Sequence, residues 1–157
     1  MTDACVITSY FAGVQLEVVN LTAEQLGEKD LIAKNPTKKF PFLETPEGNL
    51  FESSAICRHL ARVAGDKGLY GSNPYENAQV DQWIDFSNST LLNHIHPVMH
   101  AVAGRTALDG ETYNKHLTEF KSGLRLIHNA LDKKEFLVGS KITIADILIA
   151  CHIMYPM

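Results

Sequence analysis

The chain has 157 residues, enough for one large or two small domains. Hydrophobic residues make up 45% and charged residues 20%, an ordinary globular balance. The net charge of −4 provides no field that would gather nucleic acid or an anionic membrane, so phosphate-tracking binding is not expected.

Residues 4–12, ACVITSYFA, are apolar and end at Gly13, which reads as a short helix with a glycine stop. VQLEVVNL, 14–21, alternates and is rich in β-branched residues, so a strand is expected there. Residues 22–34 are polar and read as a loose helix ended by Asn35-Pro36. FPFLET and NLFES flank Pro46-Glu47-Gly48-Asn49, a strong turn signal, and predict a β-hairpin at about 41–52. A helix follows from Ser53 to about Val63, with Ala55, Ile56, Leu60 and Val63 on one face and Gly65 and Gly68 closing it.

YGSNPYENAQV breaks the composition. Asn73 suits a helix cap, Pro74 the first helical position and Glu76 the third. Beyond this point the pattern is helical only. Val80, Trp83, Ile84, Ser87 and Leu91 share a face, with Trp83 read as core. Leu117, Phe120, Leu124, Ile127 and Leu131 share the face of a helix at about 112–131. An α/β unit, 1–70, thus precedes an all-helical unit, 74–157, with the boundary near residue 72.

The sharpest local signal is KITIADILIACHIMY. Thr143 at the cap accepts from the Asp146 amide, Asp146 reaches back to the Thr143 amide, and Ile142 and Ile147 close a hydrophobic staple. The role is structural, and the apolar helix after it is expected to be buried.

Together the αβαββα order, the X-Pro before a strand, FESSAI at the last helix of the first unit and FLVGSKITIADI in the helical unit resemble the glutathione transferase fold. That resemblance implies a thioredoxin-like α/β N-terminal domain and an all-α C-terminal domain. Within the fold, LYGSNPYENAQVDQWIDFS and FLVGSKITIADILIAC resemble most the gamma subunits of the eukaryotic translation elongation factor 1 complex. Accessory domains of aminoacyl-tRNA synthetases share the fold and some of these words.

The resemblance implies a glutathione-site-like set. Phe40 would turn its backbone toward the ligand ahead of a cis Pro41, so that a cysteinyl main chain pairs like an added strand. Glu52 and Ser53 would hold the γ-glutamyl carboxylate at the helix start, and Lys39 would meet the glycine carboxylate. Each residue also has a plain structural reading: Pro41 shapes the hairpin entry, Ser53 caps a helix, and Lys39 is a solvated charge.

Family members open with a strand and a loop that carries the thiolate-stabilising Tyr, Ser or Cys. This sequence starts at the helix that follows, so the first strand is missing and no catalytic residue is carried over. Thr8, Ser9 and Tyr10 fall toward the far end of that helix, and Cys5 falls inside it. Strand 14–21 then loses its parallel neighbour, which points to a fragment, a rearranged sheet or a strand from another chain. The chain also stops about a helix before the family's helical domain usually ends.

Cys5, Cys57 and Cys151 form no CxxC and read as thiols in a reducing cytosol. There is no secretory leader pattern and no membrane-length apolar run. HIHPVMH places His94, His96 and His100 together, but Pro97 interrupts the local helix and no carboxylate sits at ligand spacing, so surface or core histidines are expected and no metal.

Two function classes follow. One is a non-catalytic, cytoplasmic scaffold domain of the elongation factor 1 complex, with the nucleotide-exchange subunits as partners, no resident cofactor, no membrane and no direct nucleic acid contact. The other is an enzyme, a glutathione transferase or peroxidase, with glutathione as ligand. An assembly domain of a synthetase complex is a third alternative, and homodimers are common in this fold.

Overall fold

The structure is a computed structural model that describes residues 2–22, 24–63, 65 and 67–154. Its contacts divide the chain into two compact units, 1–69 and 70–157.

In the first unit, α1 (Thr2–Ala12) buries Ala4, Cys5, Thr8, Ser9 and Ala12. It ends at Gly13, φ +68°, where Val14 N donates to Ser9 O at 2.9 Å and Gly13 N to Tyr10 O at 3.1 Å. These two bonds satisfy the last carbonyls, and the left-handed conformation they need favours glycine. Lys67 Nζ donates to Ala12 O at 2.6 Å, placing a cation on the negative helix end.

No regular strand forms at 14–21. Burial alternates over 14–17, but Val18 and Val19 are exposed. The reason is pairing: β-branched residues favour extended backbone, but a strand exists only where a neighbour takes its amides and carbonyls. Among the described residues the one sheet is β1 (Phe42–Thr45) paired antiparallel with β2 (Gly48–Phe51). Before it lie a 3₁₀ turn (Gln25–Gly27) and a short helix, α2 (Lys29–Lys34).

The hairpin turns at Pro46-Glu47. Thr45 Oγ1 donates to Gly48 O at 2.8 Å and accepts from Gly48 N at 3.2 Å, which fixes the register Thr45 opposite Gly48. Helix α3 (Ser53–Val63) buries Ile56, Cys57, Leu60 and Ala61 and packs on α1. Its buried stripe is rotated from the expected one: Cys57 and Ala61 are inside, whereas Val63 is exposed.

The second unit is helical, as expected for this fold. Helix α4 (Pro74–Phe86) starts as read from sequence: Asn73 Oδ1 accepts from Tyr75 N and Glu76 N, both at 3.0 Å, with Pro74 at the first position. Glu76 Oε2 accepts from Ser72 N at 2.7 Å. Val80, Trp83, Ile84, Ser87 and Leu91 are all buried on one face.

The helix then continues through a π turn (Ser87–Leu91) into α5 (Leu92–Val102), with Pro97 inside it. Pro97 does not interrupt the helix. An internal proline costs about 3 kcal/mol, and burial of Ile95 and Val98 at about 1.5–3 kcal/mol each offsets it. Helix α6 (Gly110–Ala130) packs on α5 and on the π turn, with Phe120, Gly123 and Ile127 buried. Helix α7 (Ile144–Met154) is buried along most of its length and packs on α4.

Candidate functional site

A cavity of about 370 Å³ opens in the first unit between α1, the extended segment 16–21 and the entry to β1. Cys5 and Val6 form one wall, Leu16 to Leu21 another, and Phe40, Pro41, Phe42 and Leu43 a third, with Ile56 of α3 contributing. The wall is mostly apolar, which follows from the valines and leucines of 14–21 and the phenylalanines that flank Pro41.

The Phe40–Pro41 peptide bond is cis. The loop before it is organised by Asn35, a fully buried polar residue. Asn35 Nδ2 donates to Lys39 O at 2.7 Å and Thr37 Oγ1 donates to Asn35 Oδ1 at 2.7 Å. Lys38 takes a left-handed backbone, φ +54°, to close this loop. Phe40 is 43% exposed and its ring lies 6.0 Å from that of Phe42.

Glu52 stands between β2 and α3 at φ +69°, a conformation that costs a residue with a Cβ of order 1 kcal/mol. Its carbonyl accepts the first helical bond, from Ile56 N at 3.0 Å, so Glu52 and not Ser53 occupies the cap position. Ser53 is the first residue of α3 and is half-buried at the helix start.

The structure therefore brings Phe40 and Pro41 onto the cavity wall, whereas Lys39, Glu52 and Ser53 are not among the residues that line it. Ser53 is linked to the wall through Cys5, whose Sγ donates to Ser53 O at 3.8 Å. Sequence reasoning missed Asn35, the left-handed Glu52 and the role of 16–21 as a wall.

At the start of α7, Asp146 Oδ2 accepts from Thr143 N and Thr143 Oγ1, both at 2.8 Å, and Oδ1 accepts from Leu137 N at 2.8 Å. The bond expected from the Thr143 amide to Asp146 is present. The Thr143 hydroxyl also donates to the carboxylate, an ionised and therefore strong acceptor. Asp146 also ties down the loop at Leu137.

The histidines of the second unit form pairs. His94 Nδ1 lies 3.1 Å from His116 Nδ1, and His96 stacks on His100 with ring centroids 6.4 Å apart. Burial, with the nearby His100 second, holds His96 below the usual histidine range. Among the described residues no group of three or more His, Cys, Asp or Glu side chains is arranged to hold a metal ion. No described helix is long and apolar enough to cross a membrane.

Probable elongation factor 1-gamma 2 of Arabidopsis thaliana is 35% identical over 159 residues, which cover 96% of this chain and 37% of that protein. Elongation factor 1-gamma-A of Xenopus laevis is 34% identical over 160 residues, covering 95% of this chain and 35% of that protein. The chain thus spans little more than a third of the length of these relatives. A Bombyx mori glutathione transferase superposes with a TM-score of 0.82 at 25% identity, covering 96% of this chain and 70% of that one. The family model for the glutathione S-transferase N-terminal domain matches residues 2–62 and that for the C-terminal domain matches residues 91–157, and the chain belongs to the glutathione S-transferase family.

Proposed function

We propose that this chain works in translation elongation as a non-catalytic, glutathione transferase-like scaffold that holds the nucleotide-exchange subunits of an elongation factor 1 complex. The observation that carries this reading is kinship. Relatives named elongation factor 1-gamma, from two plants, are 30–35% identical over 94–96% of the chain. The apolar cavity wall supports it, since leucine, valine and phenylalanine suit hydrophobic contact better than stabilisation of a thiolate. Such work belongs in the cytoplasm and needs neither a membrane nor direct contact with nucleic acid. The test is co-purification: the chain, immobilised, retains a guanine-nucleotide-exchange subunit from a defined mixture. Tight retention on glutathione resin together with turnover of a chlorodinitrobenzene electrophile overturns the scaffold reading.

A glutathione site is the second reading, favoured by the cis Phe40–Pro41 bond and by the left-handed Glu52 at the start of α3. In it the Phe40 backbone pairs with the cysteinyl main chain, Glu52 and Ser53 hold the γ-glutamyl end, and Lys39 meets the glycine carboxylate. Titration calorimetry with glutathione tests it: saturable heat that is lost in Ser53→Ala and Lys39→Ala supports the site, and no heat at millimolar ligand removes it.

A further inference from the structure

We propose that Cys5 and Cys57 are a modification site: a dithiol that hydrogen peroxide, entering through the cavity beside α1, converts to a reversible disulfide between α1 and α3. The proposal is independent of the scaffold and glutathione readings, since it needs only the packing of these two helices.

The geometry puts the two side chains together. Helices α1 and α3 pack directly on each other. Cys5 Sγ donates to Ser53 O at 3.8 Å. Ser53 and Cys57 are four residues apart, one turn of α3, and so share a face. Cys5 therefore lies against the stripe of α3 that carries Cys57. Several of the buried residues on the two helices are small, Ala4, Ser9 and Ala12 on α1 and Ala61 on α3, and small residues permit the close backbone approach that an inter-helix disulfide requires. Neither cysteine is in a disulfide in this structure.

Access and reactivity are divided between the two. Cys57 is fully buried, whereas Cys5, 4% exposed, is on the wall of the 370 Å³ cavity. An oxidant the size of a peroxide reaches Cys5 from there. Cys57 is held below the usual cysteine range, chiefly by its hydrogen bond with Cys5 and less by the charge of Arg58, while burial works in the opposite direction. Cys5, on the cavity wall, meets the oxidant, and Cys57, the more thiolate-prone sulfur, is placed as the nucleophile that attacks the oxidised Cys5.

The chemistry balances with the peroxide as the only co-reactant. Cys5 sulfur attacks a peroxide oxygen, the O–O bond breaks, and Cys5–SOH and one water form. Cys57 sulfur then attacks the Cys5 sulfur, the S–O bond breaks, and the hydroxyl leaves with the Cys57 proton as a second water. Two thiols have been oxidised and one peroxide reduced to two waters. A dithiol reductant reverses the link.

The test is peptide mapping of the full chain under non-reducing conditions after brief treatment with hydrogen peroxide. Trypsin places Cys5 in peptide 1–29 and Cys57 in peptide 40–58. The expected result is a single linked species joining these peptides, absent after dithiothreitol, absent in Cys5→Ser and kept in Cys151→Ser. In Cys57→Ser, folded by circular dichroism, Cys5 accumulates a sulfenic acid that dimedone labels. Oxidation of Cys151 while Cys5 and Cys57 stay thiols overturns the proposal, as does a folded Cys57→Ser protein whose Cys5 takes no dimedone.

Discussion

Asn35 Nδ2 donates to the Lys39 carbonyl at 2.7 Å, so a side chain only 1% exposed sets the loop that delivers the cis Phe40–Pro41 bond to the cavity. The Asn35 carbonyl is occupied as well, by the Thr37 hydroxyl. One buried amide thus supplies both a donor and an acceptor to the five residues 35–39, where a hairpin entry has no ladder of its own.

Replacing it leaves the Lys39 carbonyl and the Thr37 hydroxyl without their partner. Asn35→Ala is expected to lower the unfolding free energy by about 1–2 kcal/mol, the net worth of two part-buried hydrogen bonds. Urea unfolding checks this, with a lower midpoint and an unchanged slope. Asn35→Asp keeps the acceptor and loses the donor, so it falls between the wild type and Asn35→Ala. An Asp variant as stable as wild type shows that the Lys39 bond contributes nothing.

Asp146 collects three hydrogen bonds at the start of α7, two from Thr143 and one from Leu137 nine residues upstream. It therefore caps the helix and holds the preceding loop. Asp146→Ala removes all three and is expected to cost about 2 kcal/mol or more, beyond the roughly 1 kcal/mol of an ordinary cap. Asp146→Asn keeps neutral acceptor capacity and is expected to recover less than half of the loss. Parallel denaturation of the two variants separates the charge from the geometry, and a Thr143→Ala variant that matches Asp146→Ala refutes the part assigned to Leu137.

What was legible in the sequence were the elements whose signals lie within a few residues. The Pro46-Glu47-Gly48-Asn49 turn gave the hairpin, Asn73-Pro74 gave the start of α4, and the stripe Val80, Trp83, Ile84, Leu91 gave its buried face. What was not legible depends on partners far along the chain. Residues 14–21 have the side chains of a strand, but pairing decides whether one forms, and local propensity says nothing about pairing. Pro97 carries a local breaking signal that the burial of Ile95 and Val98 overrides. The cavity joins residues from 2 to 56, and the Cys5–Cys57 contact spans two helices, so neither leaves a mark at any one position. Of the cavity wall, the cis Phe40–Pro41 bond was readable through family likeness, whereas Glu52 and Ser53 lie outside that wall. Asn35 was read only as the end of a helix, because nothing local distinguishes a loop asparagine that is solvated from one that is buried.

Gly123 sits where α6 crosses the π turn. A Cβ added there meets Leu91 Cδ2 at 2.6 Å, so the fully buried Leu91 side chain has to shift against its packed neighbours. In an exposed helix Gly→Ala gains up to about 1 kcal/mol. Here overpacking, typically 1–3 kcal/mol, is expected to exceed that gain, so Gly123→Ala loses about 1 kcal/mol net. The double variant Gly123→Ala with Leu91→Ala tests the cause: the penalty of the alanine at 123 vanishes once the leucine is gone. A single variant more stable than wild type shows that α6 shifts freely.

His152 is a buried titratable group whose lowered pKa couples stability to pH, with His96 shifted in the same direction. His152 is 1% exposed, its Nδ1 lies 2.5 Å from Ser87 Oγ, and its Nε2 has no hydrogen-bond partner among the described residues. Burial, with His96 nearby adding to it, lowers its pKa from 6.5 to about 4. The folded chain thus refuses a proton that the unfolded chain accepts between these values. The associated stability is complete above about pH 6.5 and shrinks as the pH falls toward 4, because the unfolded state binds more protons throughout that window. A shift of this size corresponds to about 3 kcal/mol when the window has been crossed, roughly 2 kcal/mol of it by pH 5. Urea unfolding at pH 7, 6 and 5 is expected to show the midpoint falling steadily, and His152→Leu is expected to flatten that limb while leaving the carboxylate-driven loss below pH 4. Equal slopes for wild type and His152→Leu between pH 5 and 6.5 refute the assignment and place the dependence on other groups.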